Sequence, residues 1–295
     1  MNVIANKKRY LSIATAMVCA SIVALYLYPL NLGIDFTGGS LIEVSSTQTD
    51  SQIEEALALL NLEEVSVRQS AEGRFIIKTI PLTQTQHDEI LVALGNPEEL
   101  RSTSIGPTLG QELKRKGVYA IVWVVLLIIA YIAFVFRSVS RPVQSWKYGI
   151  VAIVALLHDI LIPLGIFAVL GALYAVVIDS LFITALLAIL GLSINDTIVV
   201  FDRIRENLEK KHGDFAQVVQ QSVQETFVRS LNTSITTLLV LLALMIWGPE
   251  STRYFVLALM LGLIAGTYSS LFVASPLLVL WQEHSPSSGR KKKKK

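Results

Sequence analysis

Six stretches of this chain are too long and too apolar to be left in water: residues 10–30, 118–136, 149–174, 176–201, 231–247 and 254–281. At about 1.5 Å of rise per residue, a helix of roughly 17 to 25 residues crosses the ~30 Å hydrocarbon layer of a bilayer, and each of these runs suffices. Lipid offers no partner to a backbone N–H or C=O, so each run must be a helix that satisfies its own backbone. The fold problem therefore reduces to how six membrane helices pack and what the remaining residues do. Composition agrees, with 53% hydrophobic and only 16% charged residues and a mean hydropathy of +0.57. A net charge of +2 gives no reason to expect nucleic acid as a partner. The single cysteine, Cys19, lies in the first run and reads as a packing residue, which excludes an intramolecular disulfide and any CxxC site.

The first run follows the basic triplet Lys7, Lys8, Arg9. It is long for the apolar segment of a cleaved signal peptide and ends in Tyr28, Pro29 and Leu30 instead of a small-residue cleavage site, so it reads as a membrane helix within residues 1–30. Residues 31–116 have the composition of a water-soluble domain. Alternation predicts strands at 41–45, 65–69 and 74–80, the last two joined across Ala71, Glu72 and Gly73, and a short strand at 102–105. Asp50 is placed to cap a helix through Leu60 with Glu54 near the capping-box position, and Thr83 to cap another through Leu94. Strand, helix, strand, strand, helix, strand is a ferredoxin-like α+β order. Helices two to six fill 117–281 with a loop at 203–228, and 282–295 is a basic tail suited to anionic lipid. Lys7 to Arg9, then Arg137, Arg141 and Lys147, then Arg203, Arg205, Lys210 and Lys211, and finally the run from Arg290 fall on one side, although Lys114, Arg115 and Lys116 do not. The positive-inside rule makes that side, and both termini, cytoplasmic and puts the α+β domain outside.

Within the helices, Asp196 lies about seven residues, or ~10 Å, from the basic end at Arg203. A carboxylate there is costly unless protonated, paired or hydrated, and Asp is too short to snorkel that far. Asn195 and Ser193 add polar character around it. Asp159 is a second acid, in the third span next to His158; adjacent residues on a helix point in different directions, so one shared site is not assumed. Arg229, Thr233 and Thr236 or Thr237 recur at helical spacing on the fifth span, alongside Ser230, Asn232 and Ser234. The antiparallel fourth and fifth spans allow Asp196 and Arg229 to meet. Gly262, Gly266, Ser270 and Ala274 form a small-residue face for close helix packing. Asp179 and Asp202 sit at helix ends near headgroups. No HExxH, Walker A, GxSxG or glycine-rich dinucleotide loop is present and no His pair has metal-like spacing, which argues against an ATPase and calls for neither metal nor cofactor.

Three motifs carry a resemblance: GIDFTGG at 33–39 with Gly33, Asp35, Phe36, Gly38 and Gly39, LHD at 157–159, and LSINDTIVVFDRIREN at 192–207. Together with the stretch from Ser222 to Ser234, they are similar to the SecF family of the bacterial SecD/SecF protein-export complex, within the resistance-nodulation-division superfamily. The likeness covers the whole chain, but at 48–99 it is one of pattern more than of residues. It implies a non-enzymatic subunit in the bacterial inner membrane that works with SecD and the SecYEG channel, with YajC as a further partner, to draw unfolded preprotein outward. In that family the acid of the fourth span and the arginine of the fifth are tied to proton passage, and they map onto Asp196 and Arg229. Gly38 and Gly39 would permit a tight backbone path beside the first span, and Thr108 to Gly110 looks like the family's other junction.

The mechanism expected is an Asp196 that alternates between a charged state paired with Arg229 and a neutral state, with H⁺ or Na⁺ as the coupling ion and Asn195 and Asp159 as accessory groups. The alternative is a half-unit of a small-molecule or lipid exporter of the same superfamily, which usually carries two large outer domains in one long chain. An intramembrane aspartyl protease using Asp159 and Asp196 lacks the sequence setting of that class, and a passive scaffold would tolerate Asp196→Asn.

Overall fold

A computed structural model describes residues 2–60, 62, 65–71, 73–135, 144–210 and 214–284. Arg137, Arg141, Lys211, Glu72 and the basic tail, including Arg290, lie outside these residues. The chain divides into two compact units, one of Met1–Leu30, Ala120–Val176 and Leu181–Lys295 and one of Asn31–Tyr119 with Val177–Ser180.

The smaller unit runs α2 (Ile34–Thr37), β1 (Gly39–Ser45), α3 (Asp50–Ala58), β2 (Ser66–Ala71), β3 (Arg74–Thr79), α4 (Gln84–Ala93), β4 (Glu98–Ile105). The four strands form an antiparallel sheet in the order β2-β3-β1-β4. Period-two alternation turns Ile42 and Val44 of β1 and Phe75 and Ile77 of β3 to one face, in register as Ile42 with Ile77 and Val44 with Phe75. Ile53 and Leu57 of α3 and Ile90 of α4 with Leu94 recur at the helical spacing of four and close over them. Thr83 caps α4 as expected, in a capping box with Gln86. The cap of α3 is Thr49 with Gln52, not Asp50 with Glu54. Thr49 has the extended backbone a cap requires, whereas Asp50 is already helical and adds its charge to the positive end of the helix.

The larger unit holds most of the six helices long and apolar enough to cross a membrane. These are α1 (Lys7–Leu27), α5 (Pro107–Val135), α6 (Ser145–Tyr174), α7 (Ser180–Lys210), α8 (Phe215–Trp247) and the element Glu250–His284. That last element contains α9 (Arg253–Ser269), a π-helical turn at Ser270–Ala274 and α10 (Ser275–His284). The fourth helix starts at Ser180, not at 176, because Ile178 is held extended by a parallel bridge to Leu32. Most of the expected loop at 203–228 is helical: α7 continues to Lys210 and α8 begins at Phe215. Their ends are tied where Arg203 pairs with Glu225 at 2.6 Å and Asn207 donates to Ser222 Oγ at 2.9 Å and to Glu225 at 2.8 Å. The small-residue face packs as its spacing implied. A Cβ on Gly262 would lie 2.2 Å from Ile189, and one on Gly266 would lie 3.0 Å from Ser193, so α9 approaches α7 at glycine distance. α6 and the Glu250–His284 element are largely enclosed, whereas α1, α5 and α8 show most of their surface.

Candidate functional site

Asp159 is fully buried on α6. Its Oδ2 accepts hydrogen bonds from Ser193 Oγ of α7 and from Ser269 Oγ of α9, the latter at 2.8 Å. Its Oδ1 lies 2.8 Å from His158 Nδ1. The adjacent pair therefore forms one contact after all: the imidazole is long enough to fold back along the helix surface and reach the carboxylate beside it. The rest of the His158 ring stacks on Tyr268, at 6.0 Å between centroids. Pro163, four residues on, has no N–H, so the Asp159 carbonyl loses its usual helical partner. On the facing helix the π turn begins directly after Ser269, and Ser270 Oγ meets Thr197 Oγ1 at 2.9 Å. Irregular backbone thus flanks the buried acid on two sides, a setting that often marks functional positions in helices. Ser269 and Thr197 are members that sequence reasoning missed; serine and threonine are common in membrane helices, and nothing local says which of them faces an acid.

Asp196 is placed otherwise. It is half-buried, Asn195 beside it is exposed, and Ser193 and Thr197 of the same helix are buried. One helical turn therefore presents Ser193 and Thr197 inward and Asn195 and Asp196 toward the open side. Asp196 lies beside the buried Ser230 side chain and within electrostatic reach of Arg229. Among the described residues no ion pair within 4.0 Å joins Asp196 to Arg229.

The polar stripe expected on α8 separates into two. Ser222, Thr226, Ser230 and Ser234 recur every four residues and are buried, and Ser234 Oγ meets Thr267 Oγ1 of α9 at 2.6 Å. Arg229, Asn232, Thr233 and Thr236 are exposed. A one-residue offset rotates a side chain by about 100° around the helix, which is why 229 and 233 leave the bundle while 230 and 234 enter it. Thr233 and Thr236 return their hydroxyls to the carbonyls of Arg229 and Asn232, at 3.0 and 2.9 Å.

The GIDFTGG motif falls in the smaller unit and is built of close approaches. Gly38 and Gly39 have φ of +74° and +128°, and a Cβ on them would lie 2.8 Å from Pro107 Cα and 2.6 Å from Thr79 O. Phe36 and Ile34 are buried and Asp35 is half-buried.

Six apolar helices, with one acid sealed among them and a second on an open polar face, define a polytopic membrane protein with ionisable groups inside its helices. Residues 87–284 match the family described as Protein export membrane protein SecD/SecF, C-terminal, and residues 23–50 match the SecD/SecF GG Motif. The chain belongs to the SecD/SecF protein-export family. Protein translocase subunit SecF of Thermobaculum terrenum is 44% identical over 277 residues, 88% of this chain and 86% of that one. Its counterpart in Synechocystis is 35% identical over 88% of this chain and 85% of its own. The crystal structure of SecDF from Thermus thermophilus, described as a translocon-associated membrane protein, has a TM-score of 0.84 at 31% identity, over 96% of this chain and 39% of that one. A Super-membrane-facing form of SecDF has a TM-score of 0.68.

Proposed function

We propose that this chain is the SecF-type subunit of a protein translocase, paired with SecD and acting in Sec-pathway export. The observation that carries the reading is the open polar face of Asn195, Asp196, Arg229 and Asn232 on helices that are otherwise apolar. Bare lipid is a poor neighbour for an arginine, two amides and a carboxylate, so this face calls for a second membrane protein. The relatives named SecDF are long enough to contain such a partner in the same chain: this chain spans only 38% of SecDF from Bacillus subtilis, at 34% identity.

Asp196 is then the coupling acid. Its charge alternates as H⁺ or Na⁺ passes, Arg229 stabilises the charged state, and Asn195 helps to hydrate the path. A charge moved across 100 mV is worth about 2.3 kcal/mol, enough to bias two helix arrangements. Asp159 belongs to the same unit through α7, since the helix whose Ser193 it holds also carries Asp196. The basic residues at the α7/α8 ends and in the first turn of α1 support a reading with both termini in the cytoplasm of a bacterial inner membrane and the smaller unit outside. The strand order of that unit, with one helix in each β-α-β crossover, fits a ferredoxin-like domain. SecYEG would supply the channel, YajC a further contact, and unfolded preprotein the cargo.

Export by membrane vesicles with H⁺ and Na⁺ gradients imposed separately tests this reading. Asp196→Asn should assemble normally and reduce gradient-driven export more than ten-fold, down to the rate without a gradient. Undiminished export by that variant would sink the coupling role, and the ion whose gradient restores export in the native chain identifies the coupling ion.

A further inference from the structure

Residues 31–35, which lead into the GIDFTGG motif, run alongside the link 177–180 within the smaller unit. Ile178 N donates to Asn31 O and Gly33 N donates to Ile178 O, both at 2.8 Å, and Leu32 and Ile178 form a parallel bridge. Gly33 admits this because a Cβ there would lie 3.0 Å from Val177 and 3.1 Å from Ile178 O. The single turn of α2 then brings Asp35 Oδ2 to 2.8 Å from Ser180 N. Ser180 is the first residue of α7, and its N–H is among the four that a helix leaves without an internal partner. A carboxylate there satisfies a donor and meets the positive end of the helix dipole. Asp35 thus caps α7 from 145 positions away in the chain. The cap has little freedom to move, since Gly38 and Gly39 are wedged against Pro107 and Thr79, and a Cβ on Gly110 would lie 2.8 Å from Gly38 N.

We propose that Asp35 is a positioning residue that fixes the start of α7 to the smaller unit, so that a displacement of α7 is delivered there and not lost in the non-helical residues 176–179. Asp196 lies sixteen residues further along the same helix, about 24 Å at the helical rise. The inference rests on the coupling role of Asp196. It assigns the acidic residue of the motif to transmission and not to ion passage, which makes the hydrogen-bond acceptor matter and the charge matter little.

Three variants of the full chain, assembled with its partner subunit in vesicles, test this. Asp35→Ala should lower gradient-driven export about five-fold, in line with the loss of one cap, and should speed hydrogen exchange at Ser180 by a similar factor while the amides of β1 and β3 keep their protection. Asp35→Asn retains an acceptor and should stay within about two-fold of the native chain in both readouts. In a Cys19→Ala background, Asp35→Cys with Ser180→Cys should export poorly when reduced and recover when the disulfide forms. Native export rates in Asp35→Ala with Ser180 deprotected would overturn the proposal, as would an Asp35→Asn chain that is as impaired as Asp35→Ala, or a disulfide that blocks export. A native chain whose export ignores the gradient would instead overturn the Asp196 reading on which the proposal rests.

Discussion

Asp159 and Asp196 are the same residue type in two apolar helices, and they are opposites. Asp159 has a hydroxyl donor from each of two neighbouring helices and an imidazole from its own, and no surface outside the chain. Asp196 shares α7 with the donor Ser193 but faces the other way, half exposed, next to an exposed amide and near an exposed arginine. The contrast teaches that an acid in a membrane helix has no single meaning. One whose acceptors are filled by its own chain ties helices together; one whose surroundings are left open does not.

The largest effect expected from this difference is on stability. Asp159→Ala leaves Ser193, Ser269 and His158 facing a void, and breaking a buried polar network by removing one member costs about 3 to 5 kcal/mol. Asp196→Ala removes a half-exposed group and should stay within about 0.5 kcal/mol of the native chain. Thermal unfolding of both variants in detergent measures the contrast, and equal losses would break it. A smaller loss follows at the glycine contact between α9 and α7. Gly262→Leu would drive a side chain into Ile189, and overpacking costs about 1 to 3 kcal/mol, read in the same unfolding assay. Because α9 also supplies Ser269, this variant should lower the protection of the Asp159 cluster to hydrogen exchange and leave residues 229–236 of α8 unchanged.

Much of this arrangement was legible in the sequence, because the strongest physical demands are local. Lipid forces six long apolar runs, a charge inside one of them stands out, and strand alternation and a Thr at an N-cap are read within a few residues. What stayed hidden depends on residues far apart in the chain. The start of α7 is set by the pairing of Ile178 with Leu32, more than a hundred positions away. Asp50 was the better cap by residue type, yet Thr49 holds the extended backbone. The stripe on α8 was visible as polar residues at helical spacing, but two interleaved rows one residue apart look like one until a neighbour covers one of them. Ser269, the donor to Asp159 from α9, carried no signal, since a serine in a membrane helix can bond a carbonyl of its own helix as readily as a neighbour.

That last property sets the smallest effect. Ser234 and Thr267 meet at 2.6 Å between α8 and α9, a contact of two hydroxyls in the buried row. Thr267 also bonds the Leu263 carbonyl of its own helix at 2.8 Å, so it keeps a partner when Ser234 is lost. Interhelical hydrogen bonds of this kind contribute about 0.6 kcal/mol, because the separated helices satisfy the same groups internally. Ser234→Ala should therefore cost no more than about 0.6 kcal/mol in thermal unfolding and leave export unaltered. Asp159 has no such fallback, because its side-chain partners are the neighbouring His158 and serines of two other helices. A Ser234→Ala loss approaching that of Asp159→Ala would mean that hydroxyl contacts and the sealed carboxylate hold the helices alike, and the distinction drawn between the two acids would rest on exposure alone.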